Sequence, residues 1–206
     1  RVVVSDTGNH RVLIWNSWPV RHGVPADIIL GQPAPELNAQ GGIYAGDNSF
    51  FAPVALAHGT KAFYVVDSPA HRVLMYDSPP TGPSDRPYLV LGQMDFISSA
   101  KVTGGPTASS FDAPFGISAD GEVLAVADSN NHRVLIWNST PTQNQQPADI
   151  VLGHDTATVS LPNDGMAAAG LNSPRGVFVG GGRVYVADTY NNRVLIWTSI
   201  PTRNHQ

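Results

Sequence analysis

Short apolar runs recur along the chain, each bounded by Gly, Pro, Asn or Asp. The run that follows each Arg is apolar at consecutive positions: Val12–Trp15, Val73–Tyr76, Val134–Trp137 and Val194–Trp197. In an extended strand alternate side chains point to opposite faces. Val12 and Ile14 then face one way and Leu13 and Trp15 the other, so both faces of this strand need cover. Three further run types share its phase. A run after a proline (strand a) covers Val54–Ala57, Phe115–Ser118 and Gly176–Val179. A run ending at an Asp (strand b) covers Phe63–Val66, Leu124–Ala127 and Val184–Ala187. The Arg-linked run is strand c, and a run before a glycine (strand d) covers Asp27–Leu30, Tyr88–Leu91 and Asp149–Leu152. These runs are rich in Val, Ile and aromatics, as strands are. No window shows a sustained helical period.

The phase is set by the stretch Asp-Ser/Thr-x-x-His/Asn-Arg-Val-Leu, which begins at Asp6, Asp67, Asp128 and Asp188. Pro19, Pro80, Pro141 and Pro201 keep the same register, as do Gly31, Gly92 and Gly153. Such regularity marks a tandem array, with repeats at about residues 1–49, 50–110, 111–170 and 171–206. A four-stranded sheet packed between two like sheets covers both faces of strand c, and radial stacking of such sheets gives a β-propeller. The expected fold is therefore all-β, with four-stranded antiparallel blades, of which about three and a half are present.

The stretches "VADSNNHRVLIW" and "VADTYNNRVLIW", with "SPRGVFV" upstream of the second, resemble NHL repeats. The resemblance runs over essentially the whole chain, although these repeats are longer than is usual for that family. It implies a propeller, commonly of six blades. The expected strands run b-c-d, two full blades, then a-b-c, which is too few to close such a ring. A segment of a longer propeller is the favoured explanation. A homodimer of half-rings is the other, but it brings six strands to a junction where a blade needs four.

Composition narrows the partners. Of 206 residues 42% are hydrophobic and only 14% charged, the net charge is −4, and Lys61 and Lys101 are the lysines. No basic run exists to bind nucleic acid, although the family includes RNA binders. No apolar run reaches the length that inserts into a membrane. There is no cysteine, which excludes disulfides and thiolate metal sites. The low charge, the Asn/Gly/Pro-rich composition and the resemblance suggest a secreted or periplasmic protein of bacterial type.

A meander blade sends its b–c and d–a connections to one end and its a–b and c–d connections to the other. The first end collects the Asp-x-x-x-His turns and three long, mutually different loops. Variable loops on a rigid frame are where binding usually sits. Groups repeated in every copy are read as structural. These are Asp6, Asp67, Asp128 and Asp188, accepting backbone N–H groups in a tight turn, and Arg11, Arg72, Arg133 and Arg193, making a charged pair or a carbonyl contact between neighbouring blades. His10, His71 and His132 alternate with Asn192, which suits a left-handed turn residue better than a metal ligand.

Departures from the repeat are the better candidates for function. Trp18 stands where the other copies have Pro79, Thr140 and Ile200. Tyr44, Asp47, Lys101 and Asp164 lie in the long loops and are candidate contacts for a protein partner or for the remaining blades. His58, His154 and Asp155 are candidate ligands for Ca²⁺ or Zn²⁺, with Asp164 nearby in sequence, although no cofactor is required by their spacing. No nucleophile elbow, phosphate loop or zinc-helix motif is present. The expected function is a non-enzymatic scaffold that binds protein through the b–c/d–a end. The alternative is a lyase- or lactonase-like propeller enzyme with a cation in its central channel, as the resemblance allows.

Overall fold

The computed structural model describes residues 1–32, 37, 49–164 and 168–204. The described residues form fourteen strands in four antiparallel sheets. The first sheet holds β1 (Val2–Asp6), β2 (Arg11–Trp15) and β3 (Ile28–Leu30). The second holds β4 (Pro53–His58), β5 (Phe63–Asp67), β6 (Arg72–Tyr76) and β7 (Leu89–Leu91). The third holds β8 (Pro114–Asp120), β9 (Val123–Asp128), β10 (Arg133–Trp137) and β11 (Ile150–Leu152). The fourth holds β12 (Gly176–Gly180), β13 (Arg183–Asp188) and β14 (Arg193–Trp197). Each strand pairs with its neighbour in sequence, so every sheet is a meander and a propeller-type blade.

Strands b and c extend to include their Asp and Arg, and strands a and d depart further from the sequence expectation. The a strands β4 and β8 begin at their prolines and run on to His58 and Asp120. Each carries a bulge near its start, between Pro53 and Ala55 and between Pro114 and Ile117. Proline has no N–H to give a ladder, and bulges absorb that irregularity. The d strands are shorter, starting at Ile28, Leu89 and Ile150. Asp27 and Asp149 are spent on the c–d connection, where their carboxylates accept the N–H of Asn16 (2.7 Å) and Asn138 (2.8 Å).

Three hydrophobic clusters lie between consecutive blades. Val12 and Ile14 of the first blade meet Leu74 and Tyr76 of the second. Val73 and Met75 of the second blade meet Leu135 and Trp137 of the third. Val134 and Ile136 of the third meet Leu195 and Trp197 of the fourth. The two faces of strand c are thus used as alternation requires, one toward the preceding blade and one toward the next. In the fourth blade Val194 and Ile196 are 62% and 56% exposed, while Val12, Ile14, Val73, Met75, Val134 and Ile136 are fully buried.

Each interblade core is closed at one end by an apolar side chain from the d–a loop: Phe50, Phe111 or Leu171, each at most 2% exposed. These residues stand 17 positions before the Asp of their copy and complete the repeat. The glycine after strand d exists to admit them. At Gly92 φ is +87°, and a Cβ would lie 2.3 Å from the Phe111 ring and 2.5 Å from the His71 carbonyl oxygen. Gly104 has φ of +94° but open space around its Cβ position. Gly104→Ala therefore carries only left-handed strain, about 1–2 kcal/mol, whereas Gly92→Ala adds two steric collisions. Denaturant melts should show the larger loss for Gly92→Ala; equal losses would mean that the packing at Phe111 relaxes freely.

Candidate binding face

The b–c turn is one 3-10 turn in every blade. It ends on His10, His71, His132 or Asn192, with φ between 50° and 56°. His and Asn tolerate this left-handed backbone better than most residues. The preceding Asp does not cap its own turn, contrary to the tight-turn role inferred from the sequence. Its carboxylate reaches back to the d–a loop. Asp67 accepts the N–H groups of Phe51 and Ala52, both at 2.9 Å. Asp128 accepts that of Asp112, and Asp188 that of Asn172, both at 2.7 Å.

The second oxygen of the Asp takes the Arg at the start of strand c. Arg72 Nε donates to Asp67 at 3.0 Å and Arg133 Nε to Asp128 at 2.8 Å. The ion pair is therefore within one blade rather than between blades. What reaches outward is the rest of the guanidinium. Arg72 donates to Ser49 O (2.8 Å) in the loop entering its blade and to Phe96 O (2.5 Å) in the loop leaving it. Arg133 does the same with Thr107 and Ser110 on one side and Ala157 on the other, at 2.8, 2.9 and 2.5 Å. Five donors in a planar fork suit this bridging, which lysine could not supply.

The turn also grips the next blade. Ala113 and Ser173, just before strands β8 and β12, are themselves left-handed, with φ of 48°. Their N–H groups donate to His71 Nδ1 (3.1 Å) and His132 Nδ1 (3.0 Å). Thr7 and Ser129 donate their hydroxyls to Pro53 O (2.7 Å) and Pro174 O (2.6 Å). In the first junction His10 Nδ1 bonds to Phe51 O instead.

Burial makes this network electrostatically uneven. Desolvation pushes the Asp67 and Asp128 carboxyls above the ordinary aspartate value, against the pull of Arg72, Arg133 and the backbone donors. At Asp6 desolvation acts in the same direction but is outweighed by the hydrogen bonds from Arg11 and Asn9, and the carboxyl falls below it. Desolvation also lowers His71 and His132, with Asp112 pulling both back and His154 depressing His132 further. A neutral Nδ1 is what accepting a backbone N–H demands.

The residues proposed from sequence fall at different places. Lys101 lies on this face and pairs with Asp112, whose other oxygen is 3.6 Å from His71 Nδ1. His154 is fully buried and replaces Gln32 and Gln93 in their structural task. Its Nε2 bonds to Asn131 O at 2.9 Å, as Gln93 Nε2 bonds to Ala70 O at 3.2 Å. Its Nδ1 lies 3.4 Å from Asp164, the one pairing that the structure makes among the suggested cation ligands. Asp155 is exposed, and its carbonyl accepts from Asn204 at 3.1 Å. His58 ends β4 at the a–b hairpin, at the opposite end of the strands from His154. The expected cation set is thus split, and no cluster of three or more His, Asp or Glu suited to a metal occurs among the described residues. Trp18 is 77% exposed but sits in the c–d connection, on the opposite end from the long loops. That end also carries a cleft of about 420 Å³ lined by Tyr88, Thr140 and the 2.6 Å Lys61–Glu122 pair. Tyr44 and Asp47 lie outside the described residues.

One constellation on the b–c/d–a end escaped the sequence reading. The Arg175 guanidinium lies 5.4 Å from the centroid of the Phe115 ring and 5.7 Å from that of Tyr190. The signal was available: Arg175 stands where other copies have Val54 and Phe115, and Tyr190 where they have Gly8, Pro69 and Asn130.

Comparison with known proteins bears directly on the fourth blade. The NHL repeat model matches residues 171–197. The fourth blade therefore resembles an NHL repeat. The match begins at the Leu171 plug and ends at Trp197, so it takes in Asp188, Asn192 and Arg193. The other three blades repeat the Asp, the left-handed His and the Arg-Val-Leu in phase with the matched segment. It is 26% identical over 139 residues to "NHL repeat-containing protein 2" of Homo sapiens, a stretch that covers 65% of this chain and 18% of that protein. No helix among the described residues is long and apolar enough to cross a membrane.

Two outcomes follow from the Asp–Arg–His network. Arg133→Ala strands the fully buried Asp128 carboxylate and should cost about 3–5 kcal/mol; Arg193→Ala leaves Asp188, also buried, but the Arg193 side chain is 31% exposed, so water can take its place and the cost should be clearly less. Chemical denaturation of both variants checks the order. The lowered His132 makes its share of stability complete above the unfolded value near 6.5 and lost as pH falls from there through the folded value. His132→Asn, which copies Asn192, should remove that share. Wild type should therefore lose stability relative to this variant between pH 7.5 and 5.5, and a pH-independent difference would contradict the neutral role.

Proposed function

We propose that this chain is a non-enzymatic propeller scaffold that binds protein through the end carrying its b–c turns and d–a loops. The observation that carries the reading is the double grip of Arg72 and Arg133, each fixing the loop that enters its blade and the loop that leaves it. Loops of unlike sequence are thereby held on buried ion pairs, and a pre-ordered surface binds without the entropic cost of ordering itself. NHL repeats generally serve as protein-interaction scaffolds, which supports the same reading. The exposed apolar face of Val194 and Ile196 suits a further blade or a second copy of the chain. The low charge fits a secreted or periplasmic setting.

The test is hydrogen-exchange footprinting of the full-length protein with peptides selected from a random dodecapeptide library. Protection of residues 93–113 and of the b–c turns is expected. Protection confined to Trp18 and residues 139–142 would move the binding surface to the opposite end and contradict the assignment.

A further inference from the structure

The stack of Arg175 on Phe115 and Tyr190 has no structural task that the other blades need. The corresponding positions are filled by Val54, Gly8, Pro69 and Asn130 elsewhere, and those blades pack with the same register. All three side chains are exposed, Phe115 by 40% and Tyr190 by 60%. This exposure belongs to the positions themselves, because Pro69 and Asn130, in blades flanked on both sides, are exposed too. The backbone is shaped to bring the group together. Phe115 and Gly116 lie in the bulge of β8, and a Cβ on Gly116 would meet the Arg175 carbonyl oxygen at 2.5 Å. Glycine there lets the start of β12 pass close to β8, and a bulge re-aims the neighbouring side chain.

A cation–π contact draws on the guanidinium charge and uses up none of its N–H donors. Among the described residues no hydrogen bond or ion pair engages those donors, in contrast to Arg72 and Arg133, whose guanidinium nitrogens are bound to protein oxygens. A preset fork of donors with aromatic shoulders matches a carboxylate on a short side chain, taken in bidentate geometry. A phosphate-rich strand is a poorer match, since it needs several cations and this group supplies one.

We propose that Arg175, Phe115 and Tyr190 form a clamp for an Asp or Glu side chain presented by an acidic peptide segment of a protein partner. The proposal rests on the scaffold reading above and names the chemistry that this face selects. The rings orient the guanidinium and cover the aliphatic part of the incoming residue, and the Arg edge takes its two oxygens.

The experiment uses the full-length protein and a phage-displayed random dodecapeptide library, followed by synthesis of the selected peptides. Peptides chosen by the wild type should share an Asp or Glu. Replacing it with Asn or Gln should weaken binding at least about tenfold, and Arg175→Ala should do the same. The two changes together should weaken binding no more than either alone. Arg175→Lys should fail to restore affinity, since it keeps the charge and loses the fork. Tyr190→Asn, which copies Asn130, keeps the turn and should give a smaller loss. Selected peptides that bind Arg175→Ala equally well would overturn the clamp and leave the scaffold reading standing. A wild type that selects no peptide would overturn both. Arg175-dependent binding of a dodecauridine in place of acidic peptides would reassign the clamp to phosphate and overturn the proposal.

Discussion

The buried Asp–Arg pair at the start of strand c is the contact on which the rest of this structure depends. At Asp67–Arg72 and Asp128–Arg133 both side chains are wholly removed from water. Such a pair adds little net stability compared with an apolar substitute, and losing one partner is severe. Its use here is geometric. The carboxylate has enough lone pairs to take loop N–H groups as well as the Arg, and the guanidinium has enough donors to take carbonyls from two loops. One ion pair thereby ties a turn, an incoming loop and an outgoing loop into one body.

Through that tie the hydrophobic core and the candidate site become one problem. The d–a loop must place Phe50, Phe111 or Leu171 into the interblade core, and it must also cross the end of the propeller. With its apolar plug inside and its backbone held by Asp and Arg, the remainder of the loop can vary in sequence without disturbing the blades. The histidine of the turn extends the grip to the next blade, by holding Ala113 and Ser173 in a left-handed conformation ahead of a proline. Function can then be placed in residues that break the repeat, as at Phe115, Arg175 and Tyr190, while the frame stays unchanged.

The fold was legible because it is written three or four times over. Consecutive apolar residues in strand c demanded two covered faces, and the fourteen strands follow from that demand and the period. The site was less legible, for physical reasons that differ by residue. Asp67 and Asp128 were assigned to their own turn because sequence proximity favours local bonds, yet the backbone N–H groups that they accept lie 15 or 16 residues upstream. His154 looked like a ligand because it breaks the repeat, but an imidazole Nε2–H replaces a Gln amide donor in a buried bond. His58 and His154 looked compatible until strand direction put them at opposite ends. Arg175 and Tyr190 break the repeat, but they lie 15 residues apart in sequence and neither break points to the other or to Phe115. Only the approach of β12 to β8 at Gly116 brings them to Phe115.

Amide hydrogen exchange at Asp112 tests the central claim most directly. This N–H belongs to a long surface loop, and it points into Asp128, the carboxylate that Arg133 also holds. If the ion pair fixes the loop, the Asp112 amide should exchange as slowly as the amides of β10, by global unfolding. Exchange at the rate of an open loop, with β10 still protected, would show that the loop moves independently of the pair and would contradict the account.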